Sequence, residues 1–549
     1  MLTAKQVSLS RGGQPVLNQV SISAPPGSRV GVVGSNGIGK TTLLRVLAGL
    51  ELPDEGLLVR SPASLTVGYV TQEPDAAPGE TLMAYLGRRT GVAAASAALD
   101  RLTSELAAAP GPDSDLVDAY SDALARYVAL GGDDFEARAA SVCADLGLPP
   151  DRFGLPVHAL SGGQAARAGL AAILLARFDV FLLDEPTNDL DFAGLDRLEG
   201  FLAGLTGAVV VVSHDRAFLD RSVSRILELQ EDSHTSVEYA GGWSDYVEAR
   251  ALARSQQEEA FRQYLDERRR LSERIRTQRN WSEKGVATAR RRPRDHDKAQ
   301  RGFFRDRTEK QAAKVRASER RLERLTDVDK PWEGWELHLD LTPAGRSGDV
   351  VARFSDAVVH RGSFTLGPFA LEVGWAERVA ILGPNGSGKS SLLDSILGRL
   401  PLSSGLRWVG PGVVFGELDQ RRAGLAGTGE NGALLDRFMP ATGLHQEEAR
   451  SLLAKFGLGA DHVLRPAEQL SPGERTRAIL AALMAQGVNC LVLDEPTNHL
   501  DLAAIEQLEE ALDRFEGTLL LVSHDRWLLE SVRLTRTVTV EPGGLVLPD

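Results

Sequence analysis

Only two of the 549 residues are cysteines. Cys143 and Cys490 lie far apart and lack the CxxC pairing or histidine neighbour of a metal site, so each reads as a small buried apolar residue. Long apolar runs are missing as well. The most apolar stretches, Val180 to Leu183 and Ala208 to Val212, fall far short of the ~20 residues that a membrane-crossing helix needs. They read instead as buried parallel strands. The opening residues, Met1-Leu2-Thr3-Ala4-Lys5-Gln6, carry no apolar core of a signal peptide, and a reducing cytoplasm is the expected location.

What is present is an ordinary globular composition, 43% apolar and 25% charged, on a chain too long for a single core. Two or more domains follow. A set of motifs occurs twice, in the same order. The first copy runs Gly34-Ser35-Asn36-Gly37-Ile38-Gly39-Lys40-Thr41, then Leu160-Ser161-Gly162-Gly163-Gln164, then Asp184-Glu185, then Ser213-His214-Asp215. The second runs Gly383-Pro384-Asn385-Gly386-Ser387-Gly388-Lys389-Ser390, then Leu470-Ser471-Pro472-Gly473-Glu474, then Asp494-Glu495, then Ser523-His524-Asp525.

Three landmarks repeat at one offset: 310 residues separate Ser161 from Ser471, Glu185 from Glu495, and His214 from His524. The lysines Lys40 and Lys389 are 349 apart, so the first copy carries about 39 additional residues ahead of Ser161. Lys40 to Gln72 is 32 residues and Lys389 to Gln420 is 31, which places the insertion after Gln72. The stretch from about residue 93 to 130 fits, with two helical runs around a Pro110-Gly111-Pro112-Asp113 break.

Beyond Gly242-Trp243-Ser244-Asp245-Tyr246 the composition changes. Residues 250–325 hold 24 Lys and Arg against 12 Asp and Glu, a net of +12, leaving −25 on the rest of the chain. Phe261, Leu265, Leu271 and Ile275 mark one helix, and Ala312, Val315, Leu322 and Leu325 another. Between them lie Lys284-Gly285 and Arg290-Arg291-Arg292-Pro293-Arg294, a helix breaker with a cationic cluster, flanked by Trp281 and Phe303-Phe304. The pattern predicts an antiparallel hairpin with a basic tip, projecting on the order of 45 Å if each helix has about 30 residues. A solvated charged face is the plainer alternative; the one-signed excess in an acidic protein favours an RNA-directed projection.

Each glycine-rich loop follows an apolar strand, Arg29 to Val33 or Arg378 to Leu382, and opens a helix. Its backbone N–H groups would wrap phosphates, with the lysine on the β- and γ-phosphates and the next hydroxyl on Mg²⁺. The candidate ATP-binding residues are Gly34, Asn36, Gly37, Gly39, Lys40, Thr41 and Thr42, and in the second copy Gly383, Asn385, Gly386, Gly388, Lys389, Ser390 and Ser391. Asp184 and Asp494 end apolar strands and would orient Mg²⁺ with Thr41 and Ser390, while Glu185 and Glu495 would polarise the attacking water. Gln72 and Gln420 would complete the metal and water shell. No aromatic residue stands where adenine would stack; Arg11 and His360 occupy roughly those places and could stack, although ordinary surface residues are the favoured reading.

This order of motifs is that of ATP-binding cassettes, and a tandem pair without a membrane span resembles the ABC-F family of ribosome-associated ATPases. Asp494-Glu495-Pro496-Thr497-Asn498-His499-Leu500-Asp501 matches that family's string, and Asp184-Glu185-Pro186-Thr187-Asn188-Asp189-Leu190-Asp191 departs from it only by aspartate for histidine. The resemblance implies an α/β fold: two P-loop ATP-binding cassette domains, residues 1–242 and 331–549, joined by an α-helical hairpin linker at 243–330. It also implies that His214 and His524 are γ-phosphate switches. Ser161, Gly162, Gly163 and Gln164 would cover the ATP on Lys389, and Ser471, Gly473 and Glu474 the ATP on Lys40. Pro472 departs from the first signature, but proline suits a first helical turn.

The insertion is similar to the arm subdomain of some family members; a plain packing hairpin fits equally. The implied partner is the ribosome, with rRNA and tRNA met by the linker of a monomer whose cassettes pair intramolecularly. A transporter's ATPase subunit, a DNA-repair ATPase and a non-enzymatic ribosome-binding module are the competing readings. Within the family, a translation factor and a protein that protects ribosomes from antibiotics both fit.

Overall fold

The computed structural model describes residues 1–70, 76–108, 114–160, 162–188, 190–291, 345–346, 348–362, 364–418, 432–498, 500–541 and 544–546, with positions 317, 320, 321 and 325. They form two compact units, one of Met1–Asp245 with Leu337–Asp549 and one of Tyr246–Glu336. The two motif-bearing halves thus share a unit.

In the first half, β1 (Leu2–Arg11) and β2 (Gln14–Ala24) form an antiparallel hairpin, followed by β3 (Arg29–Val33), α1 (Lys40–Ala48), β4 (Glu55–Arg60) and β5 (Val67–Val70). Helices α2 (Leu82–Arg89), α3 (Val92–Ala108), α4 (Ser114–Ala129), α5 (Phe135–Asp145) and α6 (Gly162–Leu175) lead to β6 (Val180–Asp184). The half closes with α7 (Phe192–Gly204), β7 (Ala208–Val212), α8 (Arg216–Ser222), β8 (Arg225–Leu229) and β9 (Ser236–Ala240). Helices α3 and α4 occupy the expected insertion and pack on each other; the Pro-Gly break between them lies outside the described residues.

The main sheet has the order β5-β6-β7-β3-β8-β9. Its strands are parallel up to β8, and β9 joins antiparallel. Strands β6 and β7 are buried at every position, as parallel strands covered on both faces require. A second, three-stranded sheet has the order β2-β1-β4, and the buried faces of both sheets meet around Val30, Val32, Leu43 and Leu44.

The second half repeats this plan with β10 (Val350–Arg361), β11 (Phe364–Gly374), β12 (Arg378–Leu382), β13 (Ser404–Val409) and β14 (Phe415–Leu418). They precede β15 (Cys490–Asp494), β16 (Thr518–Val522), β17 (Arg536–Glu541) and β18 (Gly544–Val546). The sheet orders β14-β15-β16-β12-β17-β18 and β11-β10-β13 match the first half strand for strand. Both cysteines are buried and unpaired.

The strands that lead into the glycine-rich loops also anchor a neighbouring helix. Arg29, which opens β3, donates to the carbonyls of Leu202 at 2.8 Å, Leu205 at 2.5 Å and Gly207 at 2.8 Å, closing the C-terminal end of α7. Arg378 does the same for Leu512 at 2.6 Å and Phe515 at 2.8 Å. Helix ends leave carbonyls without intrahelical partners, and a cation is favoured there. Arg29→Met should lower stability by about 1.5–3 kcal/mol, the net contribution of one hydrogen bond to a charged group, because the freed carbonyls at this half-exposed end can turn to water; it is read as a fall of several degrees in thermal unfolding by circular dichroism.

The second unit is built on α9 (Trp243–Arg291), a single helix of 49 residues. At 1.5 Å per residue it spans roughly 73 Å, longer than the expected helix of about 30 residues. It continues through Lys284-Gly285, because one glycine costs a helix only about 1 kcal/mol relative to alanine. Leu271 and Ile275 are buried on it, whereas Leu265 is 44% exposed. Leu265 lies one position off the stripe of Tyr264, Leu271 and Ile275, and so turns to solvent. Arg321 lies 3.3 Å from Glu267 of α9. The expected second helix at Ala312, Val315 and Leu322, the rest of the cationic tip and Phe303-Phe304 lie outside the described residues.

Candidate functional site

The parallel sheet gathers the motif residues at one edge. Strands β6, β7 and β3 are neighbours in register, with Asp184 paired to Val212 and Val32 to Val212. The residues leaving their C-terminal ends are therefore Asp184-Glu185, Ser213-His214 and the loop from Gly34. Ligands bind outside the carboxyl ends of such sheets, where the connections diverge.

The loops that open α1 and the helix α10 (Lys389–Leu397) are shaped for close backbone approach. Gly39 and Gly388 hold φ of 111° and 106° at the helix N-caps. A Cβ on Gly39 would come within 2.9 Å of the Val16 carbonyl, and one on Gly383 within 2.3 Å of the Val540 carbonyl. At Gly37 and Gly386 a Cβ would meet nothing, so those two glycines answer to positive φ alone. Lys40 Nζ donates to the Gly34 and Ser35 carbonyls at 2.7 and 3.1 Å, and Lys389 Nζ to those of Gly383 and Pro384 at 2.7 and 3.2 Å. Burial lowers the pKa of both lysines against the pull of nearby carboxylates. Thr42 and Ser391 are buried in the first turn of each helix.

Thr41 hydrogen-bonds Asp184, and Ser390 Oγ donates to Asp494 at 2.9 Å. Glu185 and Glu495 follow in the left-handed region, φ 50° and 48°, a strained setting for a side chain with a Cβ. Their amides bond the Val212 and Val522 carbonyls, both at 2.9 Å. Each carboxylate accepts the backbone N–H of its histidine, His214 or His524, at 3.3 Å. His214 Nε2 lies 3.1 Å from Glu185 Oε1, and His524 Nε2 lies 3.5 Å from Glu495 and 3.1 Å from Lys389 Nζ. Burial pushes the Glu185 carboxyl up. Burial first, then the lysine, holds His214 well below its usual value and brings His524 down to about 4. Burial thus favours the uncharged form of both histidines and of the Glu185 carboxyl that His214 faces.

The two halves touch at these loops. Asp191 N-caps α7, accepting Gly194 N at 2.9 Å with Oδ1, while its Oδ2 accepts Asn385 N from the other half's loop at 2.9 Å. Asp501 N-caps α15 (the helix Leu502–Arg514, after α11 Leu434–Thr442, α12 Gln446–Lys455, α13 Ala460–Val463 and α14 Pro472–Ala485). It accepts Ala504 N at 3.0 Å and Asn36 N at 3.2 Å. A cavity of about 460 Å³ joins Gly163 and His214 of the first half to Lys389, Ser390, Glu495 and His524 of the second. A Cβ on Gly163 would stand 3.3 Å from that of Asn385. The first signature therefore abuts the second loop.

Gln164 is the third residue of α6, directly after Gly163. Ser471 N-caps α14 in a capping box with Glu474, and Pro472 occupies its first turn. Glu474 also binds Arg465 at 2.9 Å and His462 at 3.1 Å, and a Cβ on Gly473 would face Ala504 of its own half at 3.7 Å. Ser161, Gln72 and Gln420 lie outside the described residues.

His360, read as an ordinary surface residue rather than a stacking one, does not line the Lys389 cavity. Arg11 is held by Glu51 at 2.6 and 2.8 Å, and His360 bonds Thr365 at 2.8 Å. Phe364, paired with Arg361 at the hairpin end, lines it instead. Its place depends on the register of the hairpin end, which chain order does not fix. Asp191 and Asp501, which motif reading did not name as site residues, each cap a helix of their own half while their second contact belongs to the other half of the chain. Tyr69 Oη donates to Asp184 at 3.1 Å, and burial raises its pKa. The matching position in the second half is Glu417, which pairs with Arg399.

The family model described as ABC transporter matches residues 17–188 and 366–498. The tylosin resistance ATP-binding protein TlrC of Streptomyces fradiae is 37% identical over 93% of this chain and 92% of its own length. The energy-dependent translational throttle protein EttA of Mycobacterium tuberculosis is 32% identical over 96% of this chain and 89% of its own. ABC transporter F family member 5 of Arabidopsis thaliana is 29% identical over 98% of this chain and 75% of its own. A solved RNase-L inhibitor superposes with a TM-score of 0.58 at 19% identity, covering 99% of this chain and 90% of that one, a likeness of fold. With the paired motif sets on matching sheets and relatives alike along nearly the whole chain, this protein belongs to the ABC-F family of tandem ATP-binding cassettes, whose domains bind and hydrolyse ATP.

Proposed function

We propose that this chain is an ATPase with two composite sites, which binds the ribosome in an ATP-closed state and leaves it after hydrolysis. Its action falls on translation, through tRNA positioning or rescue of stalled ribosomes, or on protecting ribosomes from antibiotics. One observation carries the two-site reading: each phosphate loop donates a backbone N–H to an aspartate of the opposite half, Asn385 to Asp191 and Asn36 to Asp501.

In this reading the loop amides and Lys40 or Lys389 hold the phosphates, Glu185 or Glu495 aligns the attacking water, and His214 or His524 senses the γ-phosphate. Ser161, Gly162, Gly163 and Gln164 serve the Lys389 site; Ser471, Gly473 and Glu474 serve the Lys40 site. The paired hydroxyl and carboxylate oxygens of Thr41 with Asp184 and of Ser390 with Asp494 suit a hard cation. They would hold Mg²⁺, with Gln72 and Gln420 completing the shell, and bound Mg²⁺ offsets phosphate charge.

The ribosome enters through the relatives named for translational throttling and tylosin resistance, and through the net +12 of residues 250–325, which suits contact with rRNA and tRNA. A transporter's motor would leave that basic segment without a task. No helix among the described residues is long and apolar enough to cross a membrane. Phosphate release should rise several-fold when purified ribosomes are added. A rate indifferent to ribosomes defeats the ribosome reading, and no release at all defeats the enzymatic one. Susceptibility of cells with and without the gene to macrolides, lincosamides, pleuromutilins and streptogramins separates protection from a general role in translation.

A further inference from the structure

The residue after each His-Asp motif is an arginine, and each crosses to the other half. Arg216 is 3% exposed, is paired with both carboxylate oxygens of Glu509, one at 2.9 Å, and lies over the Trp527 ring at 5.4 Å. Arg526 pairs with Glu199 at 2.9 Å and Asp196 at 2.5 Å, and lies over the Phe192 ring at 5.7 Å. Both arginines and both glutamates obey the 310-residue repeat. The two ion pairs are therefore copies of one device.

Their position gives the device its meaning. Glu509 lies on α15, whose N-cap Asp501 already receives Asn36 N–H from the first half's phosphate loop. The first half thus grips one helix of the second half at two points, by its loop at Asp501 and by its switch segment at Glu509. These points are eight residues apart, about 12 Å along a helix that does not stretch. Helix α7 is gripped in the same way by the second half, through Asn385 at Asp191 and Arg526 at Glu199.

We infer that Arg216 and Arg526 are positioning residues for hydrolysis: each uses the opposite half's helix as a strut that sets the switch histidine against the phosphate loop of its own half. The inference rests on the two-site ATPase reading. A strut of this kind exists only while the halves are together, so it makes each switch depend on closure. Burying these charges is not justified by net stability, because desolvation offsets much of the attraction; fixing one arrangement is the better-attested use of a buried ion pair.

Steady-state ATP hydrolysis by the full chain tests this, comparing wild type with Arg216→Met, Arg216→Lys, Glu509→Gln and the double variant Arg216→Met with Glu509→Gln. Arg216→Met should lower kcat by roughly tenfold, with KM for ATP within about twofold. Lysine should restore part of the rate, and the double variant should be no slower than the slower single one. Full turnover in folded Arg216→Met, or penalties that multiply in the double variant, overturns the strut. Circular dichroism establishes folding, and if Arg216→Met does not fold, Arg526→Met with Glu199→Gln decides by the same ratios. The wild-type rate judges the functional reading separately, since the strut is read only from the ratio of variant to wild type.

Discussion

Glu185→Gln together with Glu495→Gln should leave the protein locked on ribosomes in the presence of ATP, with turnover reduced by about 10²–10⁴-fold, the usual contribution of a positioned general base. Glutamine has nearly the shape of glutamate and can still accept the His214 or His524 N–H that each carboxylate accepts at 3.3 Å. The backbone amides bonded to Val212 and Val522 are untouched, so the left-handed conformation of both residues survives. What disappears is the carboxylate that would align the water, while the loops, lysines and cross-half aspartates that hold the closed form remain. ATP binding then closes the two halves without a route back. The check is co-sedimentation with ribosomes through a sucrose cushion, with ATP and without. Co-sedimentation equal to wild type would sink the model of closure followed by release.

Glycines of one loop should differ sharply in their tolerance of a single methyl group. Gly383→Ala places a Cβ 2.3 Å from the Val540 carbonyl and 2.8 Å from Ser387 Oγ, at φ 146°. The carbonyl belongs to β17 and cannot swing aside without breaking the sheet. Backbone strain of about 1–2 kcal/mol adds to overpacking of about 1–3 kcal/mol, and ATP affinity at the Lys389 site should fall at least tenfold. Gly386→Ala, three residues on, sits at φ 83° with open space around its Cβ and should cost only the strain, about 1–2 kcal/mol. Titration of each variant with a fluorescent ATP analogue, beside its thermal unfolding, measures the contrast. Equal losses in both would show that the close approach to β17 is not what Gly383 serves.

The fold was largely legible because its signals are local and occur twice. The all-apolar runs Val180 to Leu183 and Ala208 to Val212 are strands buried on both faces, and turns rich in glycine carry the chain into helices α1 and α10. Spacing alone predicted an insertion at about residues 93–130, where α3 and α4 stand. Errors arose where a local signal was weak against its surroundings. Gly285 did not break α9, because a single glycine's cost is small beside a long helical run, and Leu265 turned to solvent because one position on a helix rotates a side chain by about 100°.

Chain order could name Lys40, Asp184, Glu185 and His214, and the net charge could single out the basic segment, because motif chemistry and charge add along a sequence. It could not place Asp191 beside Asn385, Glu509 beside Arg216 or Phe364 in the cavity. Those contacts join residues 194 and 293 positions apart, or depend on the register of a hairpin end, and hydrogen bonds and ion pairs act over only a few ångströms. Folding of the two halves into one unit was needed to bring these groups within reach of each other.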